Sequence, residues 1–416
     1  MKRKRWSVGS TGIFLALGMA AFLLIGMYGE PFAAEEAPRT IKLGCSLPLT
    51  GPWGAGGRRL KQGYEIGVKH VNDAGGVYIE EFKKRIPLKL LFLDSESDPV
   101  KSASRMDKLY SVDKVDVFLG GFSGILVIPQ LATAEKYKTP ILVTTITSEG
   151  PFQKGYKYVF NVFETDWDQV TVPFDIFESI PKAQRPKKFA YFATQDEQGV
   201  IEVEYFKELA AKRNIEIATI EMYSLSATDF SPHIINAKKA GADALFSIPN
   251  PPQGVRLVKQ MKELDWSPKL AFMCRACSDY SWPRNLGKDG DYMCDTGGSW
   301  DYHLKFPAVE KFTIDYKAAY GDLPEPSAGT AYTLIQVLND ALQRAGTLEK
   351  DKVRDAIAAT NMMTVMGPMK FKPTGQGEGK YLQVAQQWQN SKKELIWPKE
   401  QASAPLAYPM PPWKDR

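Results

Sequence analysis

The residues of this chain with types suited to chemistry are hydroxyls, amides and one arginine, each beside a turn. Ser123 and Gly124 belong to the stretch GGFSG at 120–124, and Thr145, Thr147 and Ser148 to TTITS at 144–148. Neutral hydroxyls next to free backbone N–H groups suit a carboxylate or an amide, although Ser and Thr also satisfy turn backbone on their own account. Gln198 and Asn250 add side-chain amides, and Arg275 adds a planar fork able to hold a carboxylate through two parallel hydrogen bonds. Trp53, Phe122, Trp167 and Tyr280 offer apolar walls, and Asp166, Asp196 and Glu197 offer acids for a cationic group. These residue types describe reversible capture of a small polar molecule.

Bond-making chemistry has less support. The chain lacks a G-x-S-x-G elbow, an H-E-x-x-H pair and a P-loop, and His70, His233 and His303 have no evident nucleophile beside them. A dinucleotide fingerprint fails at its sixth position, where Arg59 follows Gly54 and Gly56, and its acidic partner, Asp94, comes too late. A zinc site would need a fourth ligand beside the cysteines. No catalytic residue, metal or cofactor is therefore expected, and a hydrolase or dehydrogenase is the remote alternative.

Short alternating elements must position these loops. Ile41 to Leu47 reads as a strand buried on both faces, the glycines from Gly51 to Gly57 allow a sharp turn, and Leu60, Tyr64, Val68 and Val71 recur at helical spacing. A strand, a Gly-rich turn and a helix leave N–H groups at the mouth of a parallel sheet, where anions bind. The pattern repeats with strands at Ile86 to Leu93, Val115 to Leu119 and Pro140 to Val143, and Asp98-Pro99 marks a helix start. A second round has strands at Phe189 to Ala193, Ile215 to Tyr223, Ala244 to Ile248 and Leu270 to Met273, with helices between. Strict alternation implies α/β architecture, with two doubly wound parallel sheets that carry ligands beyond the carboxyl ends of their strands.

Lys2-Arg3-Lys4-Arg5 precedes an uncharged, mostly apolar run from Val8 to Gly29, the layout of an export signal over residues 1–34, with an uncleaved membrane anchor as the alternative. Removing that segment takes away four basic residues and Glu30, so the net charge falls from +5 to about +2. No basic tract remains to attract nucleic acid. Export to an oxidising compartment makes Cys294 a disulfide candidate with Cys274 or Cys277, and Cys277–Cys294 is the first pair to expect.

LPLTGP at 47–52, glycines at 54, 57 and 63, and VNDAGGV at 71–77 resemble the amino-terminal signature of the branched-chain amino acid binding family of ABC-transporter solute receptors, which are type I periplasmic binding proteins. The resemblance runs from about residue 40 to about residue 390. It implies two lobes joined by a hinge, residues 40–163 plus 300–360 and residues 164–299 plus 361–395, with 396–416 as an extended tail. It also implies a monomer that holds a ligand carboxylate on the first-lobe loops and delivers its solute to a membrane permease. A sensory receptor of the same fold is the alternative. Two positions depart from the family: Gln198 stands where an aromatic residue often precedes Gly199, and Arg275-Ala276 occupies the place of the acid that pairs with a ligand ammonium.

Overall fold

The computed structural model describes residues 37–278, 280–379 and 381–416. Strand β1 (Ile41–Leu47) leads into α1 (Gly54–Asp73), then a hairpin of β2 (Val77–Ile79) and β3 (Lys84–Ile86). β4 (Leu88–Asp94), α2 (Pro99–Ser111), β5 (Val117–Leu119), α3 (Gly124–Lys136), β6 (Ile141–Val143) and β7 (Val159–Asn161) follow. The main strands form a parallel sheet in the order β4-β1-β5-β6-β7. The apolar run of β1 lies in its interior, which is why only Lys42 of that strand escapes burial. Asp98 caps α2 by accepting from the Lys101 N–H at 2.8 Å, as the Asp-Pro pair predicts.

The chain leaves this sheet at 162–165 and builds a second one. α4 (Asp166–Ser179), β8 (Lys188–Thr194), α5 (Glu197–Lys212), β9 (Glu216–Tyr223), α6 (Ser231–Lys239) and β10 (Ala244–Ser247) come first. α7 (Pro251–Glu263), β11 (Leu270–Met273), the short α8 (Trp282–Leu286) and β12 (Met293–Gly298) complete the run. Phe174, Phe189, Tyr191, Phe206 and Phe246 pack ring on ring across one face of this sheet. Truncating any one of them costs about 3–5 kcal/mol. Residues 299–308 then cross back to α9 (Val309–Tyr320), α10 (Pro326–Ala345) and α11 (Lys350–Ala358). α10 lies so close on α1 that a Cβ on Gly63 would stand 2.2 Å from the Ala328 carbonyl oxygen.

β13 (Asn361–Thr364), β14 (Gly367–Phe371) and β15 (Gly377–Glu378) make a small antiparallel sheet. It belongs with the first sheet: the Asn161 N–H donates to the Gly375 carbonyl at 2.9 Å, and β13 packs on α10. This corrects the boundary at 361, because the chain reaches the second sheet only with β16 (Val384–Gln389) and β17 (Lys392–Trp397). Those two strands run antiparallel at the edge of the order β17-β16-β12-β11-β10-β8-β9. A second correction follows, since residues 396 and 397 complete β17. The rest of the expected tail carries a 3-10 turn at Trp413–Asp415 and is anchored, with Met410 N–H donating to Lys269 O and Trp413 Nε1 to Trp266 O.

Cys277–Cys294 is also corrected: all four cysteines are free and buried. Cys294 packs with Cys274 in the core on one face of the second sheet, whereas Cys277 packs in the core on the other, so the sheet separates the two thiols of the expected pair. Burial pushes all these thiols up. Among the described residues, no helix is long and apolar enough to cross a membrane, and the expected export segment lies outside them.

Candidate functional site

In the first lobe the loops after β1, β5 and β6 meet. The Thr145 hydroxyl donates to the Gly121 carbonyl at 3.2 Å, and the Gly121 N–H donates to Gln130 Oε1 at 3.1 Å. Gln130 Nε2 in turn donates to Ser46 O at 2.9 Å, which ties this loop to the end of β1. Phe122 lies over Gly56, where a Cβ would stand 2.3 Å from its ring, and Trp53 sits 6.5 Å from Phe122 between ring centres. Trp53 is 44% exposed. Trp53 precedes α1 and Ser123 precedes α3, yet neither side chain caps its helix. Both helices thus present uncapped amino-terminal ends, with their positive dipole ends, beside the Ser123 and Thr145 hydroxyls. Ser123 has φ 74°, a left-handed conformation that costs about 1–3 kcal/mol outside glycine and is often found at ligand clamps.

Asp166 lies where the two lobes meet. Its N–H donates to Thr147 O at 3.0 Å, and its carboxyl is surrounded by the Thr147 hydroxyl, Arg275, Glu149 and Glu197. Charges on the loops after β6, β8 and β11 therefore all act on one carboxyl. Burial pushes that carboxyl up to about 6, against the opposing pull of the Thr147 hydrogen bond and Arg275. Oδ1 has no hydrogen-bond partner among the described residues. Glu164, two residues earlier, is fully buried and also pushed up by desolvation. Its N–H donates to Ser299 Oγ at 3.1 Å, tying together two of the segments that cross between the lobes.

The second lobe contributes a charged floor. Asp196 caps α5, accepting from Gly199 N–H at 2.9 Å and from the Thr194 hydroxyl at 2.7 Å. A Cβ on Gly199 would come 2.0 Å from Thr194 O, so the turn from β8 into α5 requires glycine. One turn further on, Glu202 is fully buried and accepts from Gln198 Nε2 at 2.7 Å and from the Tyr191 hydroxyl at 2.9 Å. Desolvation pushes Glu202 up to about 7, with Arg275 opposing. Arg275 extends from the end of β11 to the end of β10, where Nη2 donates to Ile248 O at 3.3 Å.

The structure thus brings together Trp53, Phe122, Ser123, Gly124 and Thr145 on one side, and sets Thr147, Gln198 and Arg275 around Asp166 and Glu202. Ser148 continues the Thr147 loop. Trp167 is turned away onto α5, edge-on to Tyr205 at 5.1 Å. The Asn250 side chain is committed to a capping box at α7 with Gln253. Of the three acids considered for an ammonium, Asp196 is spent on its cap and Glu197 is exposed, leaving Asp166. Glu202 escaped the sequence reading because its burial depends on Tyr191 from β8. Its one local signal is the four-residue spacing from Gln198.

Residues 40–392 match the family described as periplasmic binding protein. The chain belongs to that family. It is 23% identical over 411 residues to Leu/Ile/Val-binding protein homolog 7 of Brucella suis biovar 1, covering 95% of this chain and 98% of that one. Among solved structures it is similar to a branched-chain amino acid transporter substrate-binding protein from Streptococcus pneumoniae in complex with isoleucine. That likeness has TM-score 0.72 and 19% identity over 86% of this chain and 99% of the other. A solute-binding protein from R. palustris in complex with benzoate aligns with TM-score 0.70 and 17% identity, covering 90% and 98%. The two-lobed type I fold expected from the sequence is therefore the fold of this family.

Proposed function

We propose that this protein is the extracytoplasmic solute receptor of an ABC importer, binding one small amino-acid-like or other carboxylate- or amide-bearing molecule between its lobes without altering it. The ligand's carboxylate rests on the uncapped amino ends of α1 and α3 with the Ser123 and Thr145 hydroxyls, between the Trp53 and Phe122 rings. An amino group, where the ligand has one, pairs with Asp166 across the seam. Each lobe supplies part of the contacts, so the solute favours the closed arrangement by its differential affinity, and the lobes rotate about the segments near 163, 300 and 380. A membrane permease then receives the closed form.

The observation that carries this reading is the pair of uncapped helix ends at the first-lobe loops. There α1 and α3, preceded by Trp53 and Ser123, begin without side-chain caps, whereas α5 and α7, which follow β8 and β10, are closed by Asp196 and Asn250. An open, positively polarised end on one wall, opposite a buried carboxyl with an unpartnered oxygen, suits a solute held by both lobes. The test is a thermal-shift screen of the mature chain against amino acids, aromatic acids, short-chain acids and amides. A ligand that binds only the folded form raises the melting temperature, by about 2.7 kcal/mol of stability at a hundredfold excess over its Kd. A flat response across all four classes would remove this function.

A further inference from the structure

The second-lobe floor contains two buried polar groups that the contacts above leave unused. Arg275 Nε and the Tyr223 hydroxyl have no hydrogen-bond partner among the described residues. Tyr223 is the last residue of β9, with its ring packed at 5.1 Å on Phe230 and only 2% of its surface exposed. Arg275 lies two residues past the end of β11 with φ 71°, a strained backbone for a non-glycine residue. Its guanidinium interacts electrostatically with Tyr223, Glu202 and Asp196. All of these residues stand at the carboxyl edge of the second sheet, Arg275 after β11 and Tyr223 at the end of β9, with Asp196 and Glu202 after the intervening β8 and the Arg275 guanidinium reaching over the end of β10.

The two acids do not use up the arginine. Both Glu202 oxygens already accept from Gln198 and Tyr191, and Asp196 Oδ1 accepts from Gly199 N–H and the Thr194 hydroxyl. They offset the guanidinium charge through space, while among the described residues its hydrogen bonding goes to the Ile248 carbonyl. A buried Arg N–H and a buried phenol without acceptors are costly unless an acceptor arrives from outside the chain. Within the solute-receptor reading, on which this step rests, that acceptor is part of the solute.

We infer that Arg275 Nε and the Tyr223 hydroxyl form a second anion subsite, so that the solute carries a second carboxylate at the end remote from the first lobe. A dicarboxylate spans the seam with one end at α1 and α3 and the other on this floor. A molecule with a single carboxylate and an apolar end leaves both donors unsatisfied, and a site built to hydrogen-bond a group discriminates strongly against analogues lacking it.

The experiment compares glutarate and glutamate with leucine and benzoate by calorimetric titration and thermal shift, on the full mature chain and on Tyr223→Phe and Arg275→Gln. Tyr223→Phe removes only a hydroxyl that has no partner among the described residues, so the ligand-free variant melts no lower than the parent and a loss of affinity reports binding alone. The expected result is that a dicarboxylate binds at least tenfold tighter than leucine or benzoate. Tyr223→Phe then weakens it roughly tenfold and Arg275→Gln by more. Leucine or benzoate binding with no dicarboxylate response overturns the subsite and leaves the receptor function standing. Dicarboxylate affinity unchanged in Tyr223→Phe and Arg275→Gln overturns it as well. Silence from all four probes, followed by a flat wider screen, overturns both.

Discussion

Replacing Glu202 with Gln should make the ligand-free protein more stable at alkaline pH and leave it nearly unchanged at acidic pH. Glu202 is wholly buried, and its carboxyl rises on folding from an ordinary 4.5 to about 7. A raised carboxyl pKa means that the folded state holds its proton longer than the unfolded chain. Stability therefore falls as pH climbs from the unfolded value through the folded one, and the loss is complete once both states are ionised. At about 1.4 kcal/mol per tenfold change, the interval from 4.5 to about 7 amounts to roughly 3 kcal/mol. Gln keeps the size of the side chain and can still bond with Gln198 and the Tyr191 hydroxyl, but it has no proton to lose. Urea unfolding of both proteins between about pH 3.5 and pH 8.5 measures this directly. The two curves should meet at the acidic end and separate by roughly 3 kcal/mol at the alkaline end. Asp166, raised to about 6, acts in the same direction, so the variant's curve flattens without becoming level. Parallel curves, or a variant less stable at the alkaline end, would refute the claim that a buried, proton-holding acid lies beneath the floor.

Two further perturbations test the framework around the site. Lys393 Nζ and Asp295 Oδ2 form an ion pair at 2.7 Å with side chains 2% and 1% exposed, and Asp295 also accepts from the Ser278 hydroxyl and Gly297 N–H. Lys393→Met should cost about 3–5 kcal/mol in urea unfolding because it strands a buried carboxylate, and adding Asp295→Asn should recover most of the loss. Gly63→Val should lower the melting temperature by forcing α1 from α10, since its Cβ would meet Ala328 O at 2.2 Å and Ala331 Cβ at 2.8 Å. The cost should reach about 1–3 kcal/mol or more, and a variant as stable as the parent would show that the helices are not in close contact.

Much of the site was legible because the elements that carry it are specified locally. The apolar run of β1, the Asp98 cap and the carboxyl-end loops holding Ser123, Thr145 and Arg275 follow from residue type and spacing within a few turns of chain. Elements with a weak local signature escaped. β7 has only three residues, α4 contains Pro173 amid β-branched residues, β12 ends in two glycines, and β17 opens with two lysines. The Thr165–Asp168 capping box is the local cue to α4.

The amino-acid order alone settled the alternation of strand and helix and the two-sheet α/β class, since periodicity and turn chemistry act over short distances, and its LPLTGP and VNDAGGV stretches carried the resemblance to the family. Tertiary structure decided which groups lose water and which partners they meet. It buried Glu202 under Tyr191, turned Trp167 onto α5, set the Cys277 and Cys294 side chains in cores on opposite faces of a sheet, and tied residues 361–378 to the first sheet through Asn161. Each of these depends on contact between segments distant in sequence. Burial and partner geometry are properties of the packed whole, and no local window of residues contains them.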